Sequence, residues 1–194
     1  TSEKVLDAKK NNYIASLIQG KDSFGYSVID TSTGEFYVGE CQSDDLYETL
    51  SKYNPSEILL PKSISYNIQD WFIKLRPYVT SIEDLHFNYD SAYRNLVGHF
   101  KVNSLKGFGC EHLSNGIIAA GGLYLHLKNN LSKNVDHLKR ISPVNDIGFM
   151  GLDGYTIRNL EIFDSISSHN INGTLINCID TTMTSGGGRL LHKW

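Results

Sequence analysis

Short apolar runs in the first part of the chain follow one another in the manner of β-strands. The runs cover residues 13–18, 24–29 and 35–41, and polar segments separate them. Gly34, between the second and third runs, can adopt a positive φ at little steric cost, as a tight hairpin requires. The pattern therefore predicts three antiparallel strands joined by hairpins.

The spacing of apolar residues then alternates between helical and strand periods. A helix is predicted around Leu46 and Leu50, begun by a Ser43 cap and ended before Pro55, because residues before proline avoid the α region. Strands are predicted over 57–60 and 78–82. Between them, Ile68, Trp71, Phe72 and Leu75 recur at the spacing of one buried helical face.

Two longer helices are predicted in the middle of the chain. The helix over 89–101 keeps one apolar face through three turns, formed by Tyr89, Ala92, Tyr93, Leu96, Val97 and Phe100. Its opposite face is predicted to be exposed and contains Asp90, Ser91, Arg94, Asn95 and Gly98. The helix over 116–127 has Gly121 and Gly122 at its centre, each costing about 1 kcal/mol relative to alanine. Close packing of a neighbouring element must offset that cost.

The pattern changes again in the last third. Residues 129–146 are polar and are expected to form a linker. Asp153 is predicted to cap a helix containing Ile157, Leu160 and Phe163, whereas residues 174–179 fit a strand or a short buried helix equally well. A final helix is predicted over 184–194. No capping signal follows it, so we expect the chain to be cut within that helix and to be part of a larger protein.

Composition narrows the class of protein. Hydrophobic residues make up 40% of the chain and charged residues 20%, which favours a folded core. The net charge of −3 and the scattered basic residues argue against gripping a nucleic-acid duplex by this chain alone. Three separated cysteines and seven dispersed histidines indicate neither a disulfide framework nor a metal site. No apolar run reaches membrane-spanning length, and the first residues do not resemble a signal peptide.

Several motifs, in order along the chain, resemble those of one family. The motif at 152–161, with Leu-Asp, Thr156 and Arg-Asn-Leu-Glu, resembles the signature that opens the core domain of MutS, the bacterial DNA mismatch-recognition ATPase. The segment that follows it in MutS is matched at Thr174, Leu175, Asp180, Thr182, Thr184, Gly187, Arg189, Leu190, Leu191 and Trp194. Upstream, the segments 24–25, 30–36, 54–57, 99–100 and 105–109 resemble the MutS connector domain. The matches span residues 6–194.

One departure from the family concerns the last helix. Where the family has Thr-Pro-Met-Gly, residues 184–187 read Thr-Ser-Gly-Gly. Proline suits the first helical turn, because its missing N–H is one that the helix leaves unpaired. The start of this helix is therefore expected to be looser.

The resemblance implies a fold and a division of the chain. We expect an α/β, ribonuclease-H-like connector domain over 1–130, a linker over 131–146, and the first helices of an all-α core, or lever, domain over 147–194. The chain is expected to be non-catalytic and to bind no cofactor or metal itself. ATP and Mg²⁺ would bind in the ATPase domain of a full-length parent, since no GxxxxGK[ST] phosphate loop and no Phe-x-Glu mismatch wedge occurs in this sequence.

The resemblance also implies partners. The connector would relay conformational change between the mismatch-binding and ATPase domains and offer a docking surface to MutL, for which Arg94 and Asn95 are the candidates. Arg158 and Glu161, three apart on one predicted helix, are candidates for the junction between domains. The other expected partners are mismatched DNA, through the full-length protein, and other domains of the same chain, without a membrane. The expected location is the bacterial cytoplasm, at the nucleoid. An ordinary solvated surface is the alternative for all four residues.

Three other functions stay open. A small ribonuclease-H-like nuclease would need clustered carboxylates to hold metal ions. Asp30 fits a turn better than such a site, and Gly186–Gly188 fits a flexible helix start better than a phosphate site. A MutS relative acting in recombination would differ in domains outside this sequence. A free-standing adaptor would be encoded by a gene that ends after Trp194.

Overall fold

The computed structural model of the protein describes residues 11–64, 77–130, 135–144, 152, 154–167 and 171–193. It divides into two compact units. One comprises Tyr13–Asn145, and the other comprises Thr1–Asn12 together with Asp146–Trp194. The predicted helix around residues 68–75 and the predicted Asp153 cap lie outside the described residues.

The first unit is built on a mixed sheet. Its described strands are β1 (Tyr13–Gln19), β2 (Phe24–Asp30), β3 (Phe36–Cys41), β4 (Glu57–Pro61), β5 (Tyr78–Ile82) and β6 (Ile141–Pro143). Their order across the sheet is β5-β4-β1-β2-β3-β6. The first three strands pair antiparallel, while β4 runs parallel to β1, β5 to β4 and β6 to β3. An antiparallel three-strand meander followed by two parallel strands is the ribonuclease-H-like arrangement, so the predicted fold class is confirmed.

Helices cover both faces of this sheet, since alternate residues of each strand point to opposite sides. Ile14, Ile29 and Leu59 pack with α2 (Tyr89–Phe100) and α3 (Ser114–Asn130). The intervening strand residues pack with α1 (Leu46–Ser51) on the other face. Every residue of β2 is buried.

Asp30 closes the hairpin between β2 and β3. Its side chain is fully buried, and its two carboxylate oxygens accept hydrogen bonds from the Ser32 backbone N–H and the Thr33 hydroxyl, each at 2.8 Å. Its backbone carbonyl accepts from the Gly34 N–H at 2.8 Å, and Gly34 has the predicted positive φ, at 80°. The turn role predicted for Asp30 is therefore confirmed.

The small residues of α3 allow the predicted close packing. A Cβ placed on Gly121 would lie 2.2 Å from the Cβ of Ala92 in α2, and one on Gly122 would lie 2.7 Å from the ring of Phe87. At the start of α3, the Glu40 carboxylate accepts hydrogen bonds from the N–H groups of Asn115 and Gly116 at 2.7 and 3.3 Å. A carboxylate from β3 thus stabilises a helix N-terminus, where it also interacts favourably with the helix dipole.

Two local predictions in the first unit were wrong. The described part of the predicted linker, residues 135–144, contains strand β6, which pairs Ile141 with Phe36 at the sheet edge and buries Ile141 completely. Pro143 is tolerated there because an edge strand leaves one side of its backbone without ladder bonds. The Ser43 side chain does not cap α1 either. The N-cap is Asp45, and it makes no side-chain capping bond.

The second unit contains three described helices, α4 (Gly154–Asn159), α5 (Leu175–Ile179) and α6 (Ser185–Lys193). The segment that fitted a strand or a helix is the short helix α5, capped by Thr174, whose hydroxyl accepts from the Asn177 N–H at 3.3 Å. In α6 the Thr184 hydroxyl accepts from the Gly187 N–H at 3.1 Å. This cap satisfies one donor at the glycine-rich helix start.

Helix α4 is shorter than predicted and excludes Leu160 and Phe163. Glu161 adopts a positive φ of 48°, its N–H donates to the Arg158 carbonyl, and the Ile162 N–H donates to the Ile157 carbonyl. This is the Schellman arrangement that ends helices, with glutamate in the position that usually holds glycine.

Candidate interaction surface

Helix α2 presents the face on which the docking candidates were placed. Its N-cap is Asn88, whose side chain accepts from the Ser91 N–H at 3.1 Å, and Lys101 ends the helix with a positive φ of 54°. Ala92 and Leu96 are fully buried against the sheet and α3. Because this face of α2 is buried, only the residues on its outward face are available to contact a partner.

Arg94 and Asn95 differ in what they present. Arg94 is exposed, and its Nε donates to the backbone carbonyl of Asp90 at 3.2 Å. Asn95 is half-buried, and its side-chain amide donates to the Ser91 hydroxyl oxygen at 3.4 Å. Arg94 is thus the stronger candidate for a partner contact, because its charge faces solvent while part of Asn95 is already covered.

Two open grooves extend this surface beyond the predicted residues. The first, of about 480 Å³, is lined by Tyr89, Asp90, Tyr93, Arg94 and Glu111. The second, of about 430 Å³, is lined by Lys106, Gly109, Glu111 and His112. Glu111 lines both grooves.

Tyr93 connects α2 to the loop that follows it. Its hydroxyl donates to Glu111 Oε1 at 2.6 Å and accepts from the Leu105 N–H at 3.4 Å. The hydrogen bond to Glu111 is the main reason that the pKa of Tyr93 is raised. Helical spacing correctly placed Tyr93 on the inward face of α2. A tyrosine there implies a polar partner for its hydroxyl, but the sequence did not indicate that the partner is Glu111.

Arg158 and Glu161 do not form the predicted pair on one helix. Arg158 is exposed in α4, whereas Glu161 lies beyond the helix end. The Glu161 carboxylate instead accepts from the Ile166 N–H at 2.6 Å and the Ser165 hydroxyl at 3.2 Å. Its backbone carbonyl accepts from the Leu175 N–H at 3.1 Å. Glu161 therefore organises the loop between α4 and α5.

Two carboxylates on the strands of the first unit accept hydrogen bonds that hold the fold. Asp30 is held in its turn, and Glu57 on β4 accepts from the Thr80 hydroxyl at 2.6 Å. Within the described ranges, no three histidine, cysteine, aspartate or glutamate side chains gather as metal ligands would. The described part of the chain also contains no helix that is both long and apolar enough to cross a lipid bilayer.

His126 on α3 is a half-buried titratable group near Glu57. Its Nε2 lies 3.6 Å from Glu57 Oε1, and its side chain is 12% exposed. Burial lowers the pKa of His126 from its ordinary value of 6.5, and the Glu57 carboxylate opposes that shift only in part. The folded protein therefore holds His126 neutral in a pH range where the unfolded chain would protonate it.

This difference predicts a pH-dependent stability. The pKa of His126 is lower in the folded state than in the unfolded chain. The stability that neutral His126 contributes to the folded state is therefore fully present above about pH 6.5, and it is lost as the pH falls towards the folded-state pKa. Urea unfolding at pH 7.5 and pH 5 should show a smaller loss of stability for His126→Gln than for the wild type. Equal losses in the two proteins would contradict this assignment.

Comparison with known proteins identifies the family. The model of MutS domain II matches residues 12–139. The DNA mismatch repair protein MutS of Flavobacterium psychrophilum is 36% identical over 193 residues, which is 100% of this chain and 22% of that protein. MutS of Halothermothrix orenii is 36% identical over 202 residues (98% of this chain, 22% of that protein), and MutS of Cytophaga hutchinsonii 37% over 194 residues (100% and 22%).

The chain spans about a fifth of the length of these relatives, 22% in each case. Among solved structures, the fowlpox virus Holliday junction resolvase is similar at a TM-score of 0.41 and 18% identity, over 61% of this chain and 99% of that chain. A likeness this low supports no conclusion about function. The match to domain II covers well over half of the chain, and the chain therefore belongs to the MutS family as a connector domain, MutS domain II, with sequence that follows it.

Proposed function

We propose that this chain is the connector segment of a DNA mismatch-repair MutS protein and performs no chemistry itself. In this proposal it relays conformational change between mismatch-binding and ATPase domains of a longer chain, and ATP and Mg²⁺ bind in that ATPase domain. The curated relatives carry the name DNA mismatch repair protein, which favours repair over recombination. The location that follows is the bacterial cytoplasm, at the nucleoid.

We further propose that the outward face of α2 docks MutL. The supporting observation is the position of Arg94, an exposed cation on α2. The other side of this helix is held against the core, because Ala92 and Leu96 are fully buried. A rigid element that presents a charge can select a partner by electrostatic complementarity. Asn95, being half-buried, would contribute less.

The junction role of Arg158 and Glu161 is proposed in a modified form. Glu161 holds the loop between α4 and α5, and through that loop it would fix how the second unit presents its helices to the rest of a longer chain. Arg158, exposed at the end of α4, would contact neighbouring parts of that chain directly. The two residues therefore have different proposed roles.

A small metal-dependent nuclease is the alternative function, and Asp30 is the carboxylate that would be considered as its metal ligand. A metal-dependent nuclease needs carboxylate oxygens available to cations. Both Asp30 oxygens instead accept hydrogen bonds from the following turn. This arrangement favours the connector proposal.

The docking proposal is tested by reversing the charge of Arg94. In the full-length protein, Arg94→Glu should weaken MutL binding at least about tenfold, measured by surface plasmon resonance with ATP and mismatched DNA present. Lys52→Glu is the matched control, since Lys52 follows α1 on the opposite face of the sheet and is also exposed. The melting temperature should change little with Arg94→Glu, because the hydrogen bond that Arg94 donates within the described residues is exposed and goes to its own helix. If the Arg94→Glu protein binds MutL with wild-type affinity, the proposal that the outward face of α2 docks MutL is wrong.

A further inference from the structure

One of the two carboxylate oxygens of Glu111 takes no part in the hydrogen bonds that hold the described fold together. Glu111 is half-buried where the two grooves meet, and its Oε1 accepts from the Tyr93 hydroxyl. Its other oxygen accepts no hydrogen bond from the residues that the structure describes. A charged donor binds a half-buried carboxylate more strongly than an exposed one, because partial desolvation strengthens the interaction.

The Tyr93 hydroxyl gives this carboxylate a defined orientation. Tyr93 is fixed in turn, because its ring packs against the core and its hydroxyl also accepts from the Leu105 N–H. A receptor group that is already oriented loses little entropy when a partner binds. Glu111 is therefore preorganised as a hydrogen-bond acceptor.

The other groups of the first groove suit a cation. The rings of Tyr89 and Tyr93 lie 5.9 Å apart at an interplanar angle of 31°, and aromatic faces attract guanidinium groups. Asp90 adds a second, exposed carboxylate. Arg94 is the one cation among the lining residues, and its Nε bonds to its own helix. Two carboxylates against one guanidinium leave the groove negative by one charge.

We propose that this groove, formed by Tyr89, Asp90, Tyr93 and Glu111, receives an arginine side chain of the protein that docks on α2. Glu111 accepts hydrogen bonds from the guanidinium, and the tyrosine rings cover its flat face. Arginine fits better than lysine, because its planar group can stack on a ring while it donates in plane to a carboxylate. The inference rests on the proposed docking of MutL, and it adds the chemistry by which that partner is recognised.

The test removes the charge of Glu111 while retaining its shape. In Glu111→Gln the amide oxygen can still accept from the Tyr93 hydroxyl, so the groove should keep its form. MutL should bind the full-length variant about tenfold more weakly than the wild type. The affinity should also fall less steeply between 50 and 300 mM salt, since one screened charge pair has been removed. Glu48→Gln, an exposed glutamate on α1 across the sheet, is the matched control.

The outcomes separate this inference from the docking proposal. If Arg94→Glu weakens MutL binding but Glu111→Gln does not, the arginine pocket is overturned while docking on α2 stands. If neither variant weakens binding, both are overturned. Weaker binding of Glu111→Gln with an unchanged salt dependence would show a structural effect and would also overturn the pocket. Weaker binding with a flatter salt dependence, absent in Glu48→Gln, supports it.

Discussion

Gly121→Ala should destabilise the first unit by about 1 to 3 kcal/mol, although alanine is the better helix former. The added Cβ would lie 2.2 Å from the Cβ and 2.5 Å from the Cα of Ala92, far inside van der Waals contact. Neither atom belongs to a flexible side chain, so α2 must move as a whole or α3 must tilt. The free energy of unfolding in urea measures the cost.

The same substitution at Gly98 is the control. Gly98 lies on the exposed side of α2, and a Cβ there would meet nothing within 4 Å. Gly98→Ala should therefore stabilise the protein by about 0.5 to 1 kcal/mol. Effects of the same sign at the two positions would contradict the close packing of α2 on α3.

Asp30→Ala should cost about 2 to 3 kcal/mol, because a fully buried carboxylate that accepts two hydrogen bonds is lost. The turn between β2 and β3 then loses both hydrogen bonds that the Asp30 carboxylate accepts. Thermal and urea unfolding measure the loss.

A graded series identifies the cause of that loss. Asp30→Asn should cost less than Asp30→Ala, because an amide oxygen can accept from the Ser32 N–H while its NH₂ group donates to the Thr33 hydroxyl oxygen. Asp44→Ala, at an exposed aspartate, should change stability by less than about 0.5 kcal/mol. Equal effects of Ala and Asn at position 30 would show that these hydrogen bonds contribute little.

The parts of the fold that the sequence predicted are those set by local pattern. Strands β1 to β5 were predicted from short apolar runs, and helices α2 and α3 from apolar residues at helical spacing. Gly121 was also interpretable, since two central glycines in a helix imply a close neighbour. The sequence could not identify that neighbour as Ala92, because the contact depends on how two helices cross.

The misses depend on contacts between distant residues. Strand β6 pairs with β3 about a hundred residues earlier, and its three residues are too few to show a period. The early end of α4 depends on Glu161 adopting a positive φ, which glycine would have signalled but glutamate does not.

The sequence predicted one residue of the candidate surface and did not predict another. Arg94 followed from the exposed face of one helix, whereas Glu111 belongs to a separate loop and is brought to α2 by the Tyr93 hydroxyl. A side chain that comes to a surface through a tertiary hydrogen bond leaves no periodic signal in the sequence.

The claim that this connector does no chemistry is tested most directly by an activity assay on the chain itself. Residues 1–194 would be incubated with supercoiled and branched DNA, and separately with ATP, in the presence of Mg²⁺ or Mn²⁺. We predict neither nicked DNA nor released phosphate above the level of the Asp30→Asn variant. Strand cleavage or ATP hydrolysis by the wild type that Asp30→Asn abolishes would contradict the account.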